Sequence, residues 1–365
     1  MKKTLSLLLT LFLSSYSYSQ NLYITKRDYS NSSNYIHSLD KINSINGSLI
    51  TNYNFITPFP SSYSPESLSF NYLSNEIFGI SDNLITKNNI TTNNENSIVL
   101  PLTNTTDYGG IVIANNNLFV AKRDFSNSTN YVHSLQKINQ NDGSVISNYN
   151  LTTNLPTSYN NDLKFSISTN EIFGKSGNVF YKYNVTTGVE TNFTLPIIPN
   201  TTYNSFIIAE NRLFMLKRDY GVNPIVFSLL ELNQNNGSII NTYNYTTNLV
   251  DFYKIINMTF LADSHEICFI IENTPSTLYK VVKLNINTNN ESFFELTPSP
   301  SSNIGEIVST VTEQSLSIKE INLNQNNKII KAFNLLGQEI PIETYNQIII
   351  VKFENGETRK LYNKK

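Results

Sequence analysis

The hydrophobic residues of this chain recur in short runs that predict strands, with turns rich in Asn, Asp and Gly between them. In the middle of the chain eight such runs follow one another, at 111–114, 118–123, 133–138, 145–150, 163–168, 171–174, 179–185 and 189–195. Asn, Asp and Gly readily adopt the positive φ angles that tight hairpin turns require. The pattern therefore predicts an all-β fold.

A threefold repeat organises these strands. Lys-Arg-Asp occurs at 26–28, 122–124 and 217–219, and further motifs recur in the same register. Each repeat of about 95 residues divides into halves of four predicted strands, which is typical of propeller blades. The sequence predicts a six-bladed β-propeller made of three double-blade repeats, with a β-sandwich array or a β-solenoid as alternatives.

The two ends of the repeat region predict ring closure. The first repeat begins at Asn21 and lacks the strand that 111–114 forms in the second. A strand from 303–312, after the third repeat, can fill that place and remove the exposed sheet edges.

The N-terminus has the pattern of a secretory signal. Lys2 and Lys3 precede a short apolar stretch, and Ser17 and Ser19 are small residues before Gln20. We expect 1–19 to be the signal peptide, with cleavage before Gln20, and 20–312 to be the propeller. The stretch is too short to span a bilayer, and we expect no transmembrane segment elsewhere.

The C-terminal segment 313–365 differs from the repeats, because it ends in strand-like runs and is basic. It contains Asn334, Gly337 and Gln338, then Asn355-Gly356 and the terminal Lys364-Lys365. This segment resembles the C-terminal sorting domain of Bacteroidetes proteins that use the type IX secretion system. The Tyr-Pro-Asn-Pro segment that often precedes such domains is absent. The resemblance implies secretion or display on the outer surface, with the type IX machinery as partner; the alternative is a last hairpin of the main domain.

Composition excludes some functions. A formal net charge of −2 gives no basic face for nucleic acid. The single cysteine, Cys268, lies in an apolar run and predicts a buried side chain rather than a nucleophile. We expect a monomer without cofactor. We also expect no metal, since His37 and His133 fall in different blades and His265 is remote in sequence.

The candidate ligand-binding residues are the three charged triads and four loop tyrosines. In a propeller the loops after the second and fourth strands of a blade open at the same face. The triads and tyrosines would then surround one face: Lys26, Arg27, Asp28, Lys122, Arg123, Asp124, Lys217, Arg218, Asp219, Tyr63, Tyr108, Tyr159 and Tyr203. Aromatic rings beside hydroxyl and amide groups suit sugars. The alternative is structural: Lys pairs with Asp, Arg pairs with the next blade or caps carbonyls, and the aromatic rings cover the core.

The sequence favours a secreted or surface-displayed binding protein that engages glycan or protein through one propeller face. A polysaccharide hydrolase or lyase that uses Asp28, Asp124 and Asp219 is the first alternative. The second is a structural component of the envelope. No catalytic motif favours an enzyme.

Overall fold

The computed structural model describes residues 21–31, 35–57, 67–127, 131–155, 162–222, 225–245, 254–273, 278–310, 329–333, 339–341, 347–353 and 358–363. The chain divides into two compact units, Met1–Thr312 and Glu313–Lys365. The described residues of both units form strands and turns, and none is helical.

Six four-stranded antiparallel sheets make up the described part of the first unit. Sheet 1 contains β1 (Asn21–Asp28), β2 (Ile36–Asn43), β3 (Leu49–Asn54) and β24 (Ser302–Ser309). Sheet 2 contains β4 (Ser67–Asn71), β5 (Glu76–Ser81), β6 (Leu84–Asn89) and β7 (Asn94–Val99). Sheet 3 contains β8 (Thr106–Ala114), β9 (Asn117–Asp124), β10 (Val132–Ile138) and β11 (Val145–Asn150).

The other three sheets of this unit have the same order of strands. Sheet 4 contains β12 (Asp162–Ser166), β13 (Glu171–Ser176), β14 (Val179–Asn184) and β15 (Glu190–Thr194). Sheet 5 contains β16 (Thr201–Ala209), β17 (Arg212–Asp219), β18 (Val226–Leu232) and β19 (Ile239–Asn244). Sheet 6 contains β20 (Lys254–Leu261), β21 (Glu266–Asn273), β22 (Leu278–Asn285) and β23 (Glu291–Leu296).

Sheet 1 joins the two ends of the repeat region. Strand β24 pairs antiparallel with β1, from Leu22 opposite Ser309 to Asp28 opposite Ser302. The prediction that a strand in 303–312 completes the first sheet is confirmed.

The six sheets form a closed ring through their first strands, which we call the inner strands (β24, β4, β8, β12, β16 and β20). Each inner strand contacts the inner strand of the next sheet, and β24 contacts β4. Hydrogen bonds cross between sheets: Ser69 Oγ accepts the backbone N–H of Ile113 at 2.9 Å, and Thr259 Oγ1 accepts that of Ser309 at 2.9 Å. Four-stranded sheets closed in this way form a propeller-type fold.

The hydrophobic core lies between neighbouring sheets. One cluster joins Ala121 and Leu135 of sheet 3 to Leu163 and Tyr181 of sheet 4, all fully buried or nearly so. Full burial of one such aliphatic side chain contributes about 1.5–3 kcal/mol. Cys268 lies in another cluster and is fully buried, as the apolar run around it predicts.

Asparagine shapes the turn between the third and fourth strands of every sheet, which we call the outer turn. Its side-chain oxygen accepts the backbone N–H of a residue two or three positions later, and its carbonyl accepts one four positions later. This local bond replaces strand pairing and fixes the turn. The six asparagines are Asn43, Asn89, Asn139, Asn184, Asn233 and Asn285.

Two sequence predictions need correction. The inner strand of sheet 3 begins at Thr106, not at 111, and continues through a bulge. The sequence did not show its first half, because Gly109 and Gly110 have no side chains to reveal the alternation of a strand. The loop between β9 and β10 has seven residues, 125–131, instead of the nine between the predicted strands 118–123 and 133–138, since pairing extends through Asp124 and resumes at Val132.

The second unit contains one four-stranded sheet in its described residues. Strands β25 (Ile329–Phe333), β26 (Glu339–Ile340), β27 (Gln347–Phe353) and β28 (Thr358–Asn363) are ordered β26-β25-β27-β28. Ala332 and Val351 face each other in the register and are buried.

Candidate functional site

The three triads end the second strand of sheets 1, 3 and 5. Asp28, Asp124 and Asp219 lie opposite Ser302, Thr106 and Thr201, where the inner strands begin. The loops after the second and fourth strands therefore meet at this end of the ring, which we call the triad end. The prediction that both kinds of loop open on one face is confirmed.

Backbone hydrogen bonds extend this pairing by one residue in every copy. Tyr29 N–H donates to Ser301 O at 2.7 Å, Phe125 N–H to Thr105 O at 2.8 Å, and Tyr220 N–H to Asn200 O at 2.9 Å. The aromatic residue after each triad is thus held between the two loops at the ring's end.

The three aspartates cap their own loops. Asp28 accepts the backbone N–H of Ser30, Asp124 that of Ser126 and Asp219 that of Gly221, at 2.9–3.0 Å. The Ser30 and Ser126 hydrogen bonds hold the pKa of Asp28 and Asp124 below the usual value. This is a turn-forming role.

The three arginines lie against aromatic rings. The Arg27 guanidinium is 5.7 Å from the Tyr35 ring centre, and Arg218 is 6.0 Å from that of Phe227. Arg123 lies 5.5 Å from both the Phe125 and the Tyr131 ring. Cation–π contacts of this kind contribute about 0.5–2 kcal/mol and fix the planar group in place.

Arg123 also forms an ion pair with Asp107, which lies opposite it on the inner strand of the same sheet. In this copy the carboxylate that pairs with the arginine belongs to the same sheet. At the equivalent register positions, Asn303 lies opposite Arg27 and Thr202 opposite Arg218.

The lysines differ between copies. Lys217 Nζ lies 3.8 Å from Asp219, which confirms the expected Lys–Asp pairing in the third repeat. Lys122 Nζ lies 6.0 Å from the Tyr108 ring centre, and Lys26 lies opposite Ile304 in the register.

Two of the four predicted tyrosines hold loops by their hydroxyl groups. Tyr108 is buried and donates to Pro101 O at 2.7 Å, and Tyr203 donates to Pro196 O at 3.1 Å. Tyr63 and Tyr159 lie outside the described residues. Among the residues described at the triad end, Tyr29 (37%) and Tyr220 (49%) are exposed aromatic side chains, and they directly follow two of the triads.

Exposed apolar side chains accompany these tyrosines. Ile36, Val132 and Val226 lie opposite the triad aspartates, and each is more than one third exposed. Leu102 and Ile197, in the loops before sheets 3 and 5, are also exposed. Ile36, Val132 and Val226 directly precede the His-Ser-Leu motif or its Phe-Ser-Leu equivalent, so repeat position could have selected them, but a local pattern does not show that they are exposed.

His37 and His133 lie opposite Arg27 and Arg123 and are buried. Burial, and then the arginine charge, lower the pKa of His37 to about 4. Burial and then the Arg123 charge also lower the pKa of His133, and the Asp107 charge opposes this shift. Both imidazoles are therefore neutral at physiological pH.

A second polar feature surrounds the ring axis, and the sequence reading missed it. In each inner strand, the residue directly before the apolar residue Ile307, Leu68, Ile111, Leu163, Phe206 or Met258 occupies an equivalent position. We call these six residues the axial ring: Glu306, Ser67, Gly110, Asp162, Ser205 and Asn257.

Hydrogen bonds connect the axial ring across four sheets. Ser205 Oγ lies 2.9 Å from Asp162 Oδ2 and 2.8 Å from Asn257 Oδ1, and Asn257 Nδ2 donates to Glu306. Lys164 forms an ion pair with Asp162 at 3.1 Å. These polar side chains lie in four successive sheets, and Asn257 and Glu306 among them are buried.

Lys175 lies beside the axial ring, opposite Asp162 in the register. Its Nζ donates to the carbonyls of Gly177 and Tyr203, both at 3.1 Å. Burial lowers its pKa to about 8, although Asp162 opposes the shift.

Among the described residues, no three His, Cys, Asp or Glu side chains are grouped so that they could hold a metal ion. The same part of the chain contains no helix with the length and apolar character of a membrane span. The signal segment 1–19 lies outside the described residues. So do the tail residues that carry the sorting-domain resemblance: Asn334, Gly337, Gln338, Asn355, Gly356, Lys364 and Lys365.

Comparisons with known proteins give similarity of structure only. No protein-family model and no curated protein matches the sequence. A solved structure described as TolB from Agrobacterium tumefaciens is 10% identical, with a TM-score of 0.45 over 80% of this chain and 100% of that one. Apo AztD from Citrobacter koseri is 10% identical, with a TM-score of 0.41 over 80% and 98%. The WD40 repeats of RRP9 are 11% identical, with a TM-score of 0.45 over 76% and 82%.

Proposed function

We propose that this protein is an exported six-bladed β-propeller that binds an extracellular glycan or protein through its triad end. One observation carries the proposal. In each of the three repeats an arginine lies against an aromatic ring. Exposed apolar or aromatic side chains lie near that arginine, both along the chain and in the strand register. Each of the six sheets would be one blade.

The chemistry of these groups suits recognition. Exposed tyrosine and aliphatic side chains at one end of a domain are typical of interaction surfaces, where aromatic residues and Arg are enriched. Tyrosine faces also stack on sugar rings, and the Ser, Thr and Asn of the adjoining loops can bond hydroxyl groups. The same residues thus support both ligand classes, and binding experiments must distinguish them.

The geometry gives no support to the alternative of polysaccharide cleavage by Asp28, Asp124 and Asp219. Each carboxylate caps its own loop through a backbone N–H. A glycosidase needs two carboxyl groups that flank one bond, roughly 5–10 Å apart.

The binding proposal is tested with the purified mature protein on a glycan array and on a panel of extracellular matrix and surface proteins. The variant Tyr29→Ala/Tyr220→Ala removes the two exposed tyrosines of the triad end. Leu73→Ala is the matched control, because Leu73 is 60% exposed in the turn after β4, at the opposite end of the ring.

We expect wild type and Leu73→Ala to bind the same ligand, and the double variant to bind at least tenfold more weakly. Truncation of a central aromatic contact typically costs 2 kcal/mol or more, which is about a thirtyfold loss. Equal binding by all three proteins would remove the triad end as the binding surface. Absence of binding to every glycan and protein would favour a structural role in the envelope.

We propose further that 1–19 directs export and that 313–365 acts as a type IX sorting tail, as its sequence resemblance implies. The experiment fuses 313–365 to a periplasmic reporter in a Bacteroidetes host with and without a functional type IX system. Reporter at the surface or in the medium only in the competent host supports the tail's role. Reporter retained in the periplasm of both hosts would contradict it.

A further inference from the structure

Two outer turns contain Asn-Gly, and the third copy of the same turn contains Asp-Gly. The pairs are Asn46-Gly47, Asn236-Gly237 and Asp142-Gly143, each followed by serine. Asn46 and Asn236 are exposed, as is Asp142. The three copies therefore hold an amide or a carboxylate at the same place in the fold.

The side chains of all three copies make the same contact. Asn46 Oδ1 accepts the backbone N–H of Ser48 at 3.0 Å, and Asn236 Oδ1 accepts that of Ser238 at 3.0 Å. Asp142 Oδ1 accepts the backbone N–H of Ser144 at 2.9 Å. The turn thus holds the side-chain carbonyl oxygen of each asparagine on a hydrogen-bond donor.

We propose that Asn46 and Asn236 are sites of spontaneous deamidation, which converts them to the residue already present at 142. The backbone nitrogen of the following glycine attacks the side-chain carbonyl carbon of the asparagine. A C–N bond forms, the glycine N–H proton is lost to solvent, and ammonia leaves to give a succinimide. Water then opens the ring at one of its two carbonyls: attack at the side-chain carbonyl gives aspartate and restores the peptide bond, and attack at the backbone carbonyl gives isoaspartate. No oxidant or other reactant is needed.

The turn assists the attack in two ways. The Ser48 or Ser238 N–H is bonded to the oxygen that becomes negatively charged as the tetrahedral intermediate forms, and such donors stabilise developing charge. Glycine has no Cβ to hinder its own nitrogen, and it permits the positive φ of +73° at Gly47 and +71° at Gly237.

One contact slows the reaction. The N–H of Gly47 donates to Asn43 O at 2.9 Å, and that of Gly237 to Asn233 O at 2.8 Å. This bond must open before the nitrogen can attack, so the rate in the folded protein follows local opening of the turn.

The fold accepts the aspartyl product. Asp142 receives a second hydrogen bond from Ser144 Oγ at 2.7 Å, and the Ser144 backbone and side-chain bonds lower its pKa. Ser48 and Ser238 provide the same hydroxyl group in the other two turns. Each conversion adds one negative charge at the end of the ring opposite the triad end.

The test incubates the folded, mature protein in mildly alkaline buffer and maps its peptides by mass spectrometry. Asn235, an exposed asparagine in the same turn as Asn236 but not followed by glycine, is the internal control. We expect conversion at 46 and 236 with at least tenfold less at 235. With the variant Asn46→Gln, conversion should continue at 236 and stop at 46, because the longer side chain would have to close a six-membered glutarimide ring, which forms far more slowly than the five-membered succinimide.

A second measurement tests accommodation of the product. The variant Asn46→Asp/Asn236→Asp should unfold at the same temperature as wild type, because Asp142 already fits this turn. Conversion at 46 and 236 no faster than at 235 would overturn the proposed sites. A clearly lower melting temperature of the double aspartate variant would overturn the claim that the fold accepts the product.

Discussion

The substitution Gly143→Ala tests how the outer turns join neighbouring sheets. Gly143 has a φ of +75°, and a Cβ built on it would lie 2.3 Å from Ile98 Cγ2 of the preceding sheet. A Cβ built on the equivalent Gly47 or Gly237 would lie 2.5 Å from the ring of Phe294 or Phe193. The outer turns of sheets 3, 1 and 5 therefore pack without a gap against the last strands of sheets 2, 6 and 4.

The expected loss of stability has two parts. A non-glycine residue at positive φ costs about 1–2 kcal/mol, and extra volume in a packed contact costs about 1–3 kcal/mol. Alanine also restricts the unfolded chain, which returns about 0.4–1 kcal/mol. We expect Gly143→Ala to lose about 3 kcal/mol.

Gly188→Ala separates the two parts. Gly188 has a φ of +71° in the outer turn of sheet 4, but the nearest atom to its built Cβ is Tyr183 Oη at 3.6 Å, an ordinary contact. This variant should lose only about 1 kcal/mol in urea unfolding, since only the conformational part remains. In an Ile98→Ala background, Gly143→Ala should also cost about 1 kcal/mol, because the clashing methyl group is gone. Equal losses for Gly143→Ala and Gly188→Ala in the wild-type background would refute the packing argument.

Three further predictions concern single contacts. His37 and His133 are neutral in the folded protein, whereas in the unfolded chain they bind protons near pH 6.5. Their contribution to stability is therefore full above that pH and declines as the pH falls. For His37 the decline extends to about pH 4. Replacing both by Phe, the residue at 227 in the third repeat, should flatten that part of the stability–pH curve in urea titrations. Asn139→Ala removes the bond to the backbone N–H of Asn141 and should cost about 1 kcal/mol by urea unfolding. Glu190→Gln weakens the carboxylate contacts to the backbone N–H groups of Thr152 and Thr153, both 2.8 Å. Those two amides should therefore exchange faster in deuterium-exchange NMR. The amides of Ile56 and Thr57, which are bound to the equivalent Glu95, should not change.

The sequence predicted most strands because alternation and turn residues are local signals. The pairing of β24 with β1 was also predictable, since the first repeat lacked one strand and the chain after the third repeat supplied it. The first half of β8 was missed because Gly109 and Gly110 have no side chains to show the alternation. Register shifts at such bulges depend on packing against neighbouring sheets, which a local pattern does not contain.

The candidate site was less predictable. Repeat position placed the triads at one end of the ring correctly, yet it did not show that Asp107 pairs with Arg123, at a register position where the other two copies have Asn303 and Thr202. Tyr108 looked suitable for ligand stacking, but its burial and its bond to Pro101 depend on how the loop folds back. Exposure of Tyr29 and Tyr220 depends on the same loops.

The triads carry the same residues at repeat-equivalent positions, whereas the axial ring carries different ones. The triads are identical in all three copies, and their aspartates do the same work in each, capping the loop that follows. The axial ring has different residues at its repeat-equivalent positions: Glu306, Gly110 and Ser205 in one set, Ser67, Asp162 and Asn257 in the other. The identity of the aspartates between copies therefore accompanies a loop-capping role that all three repeats share. Where the copies differ, the chain can form an asymmetric arrangement, such as the hydrogen-bonded residues of the axial ring in four of the six sheets. A search for repeated motifs does not find such positions.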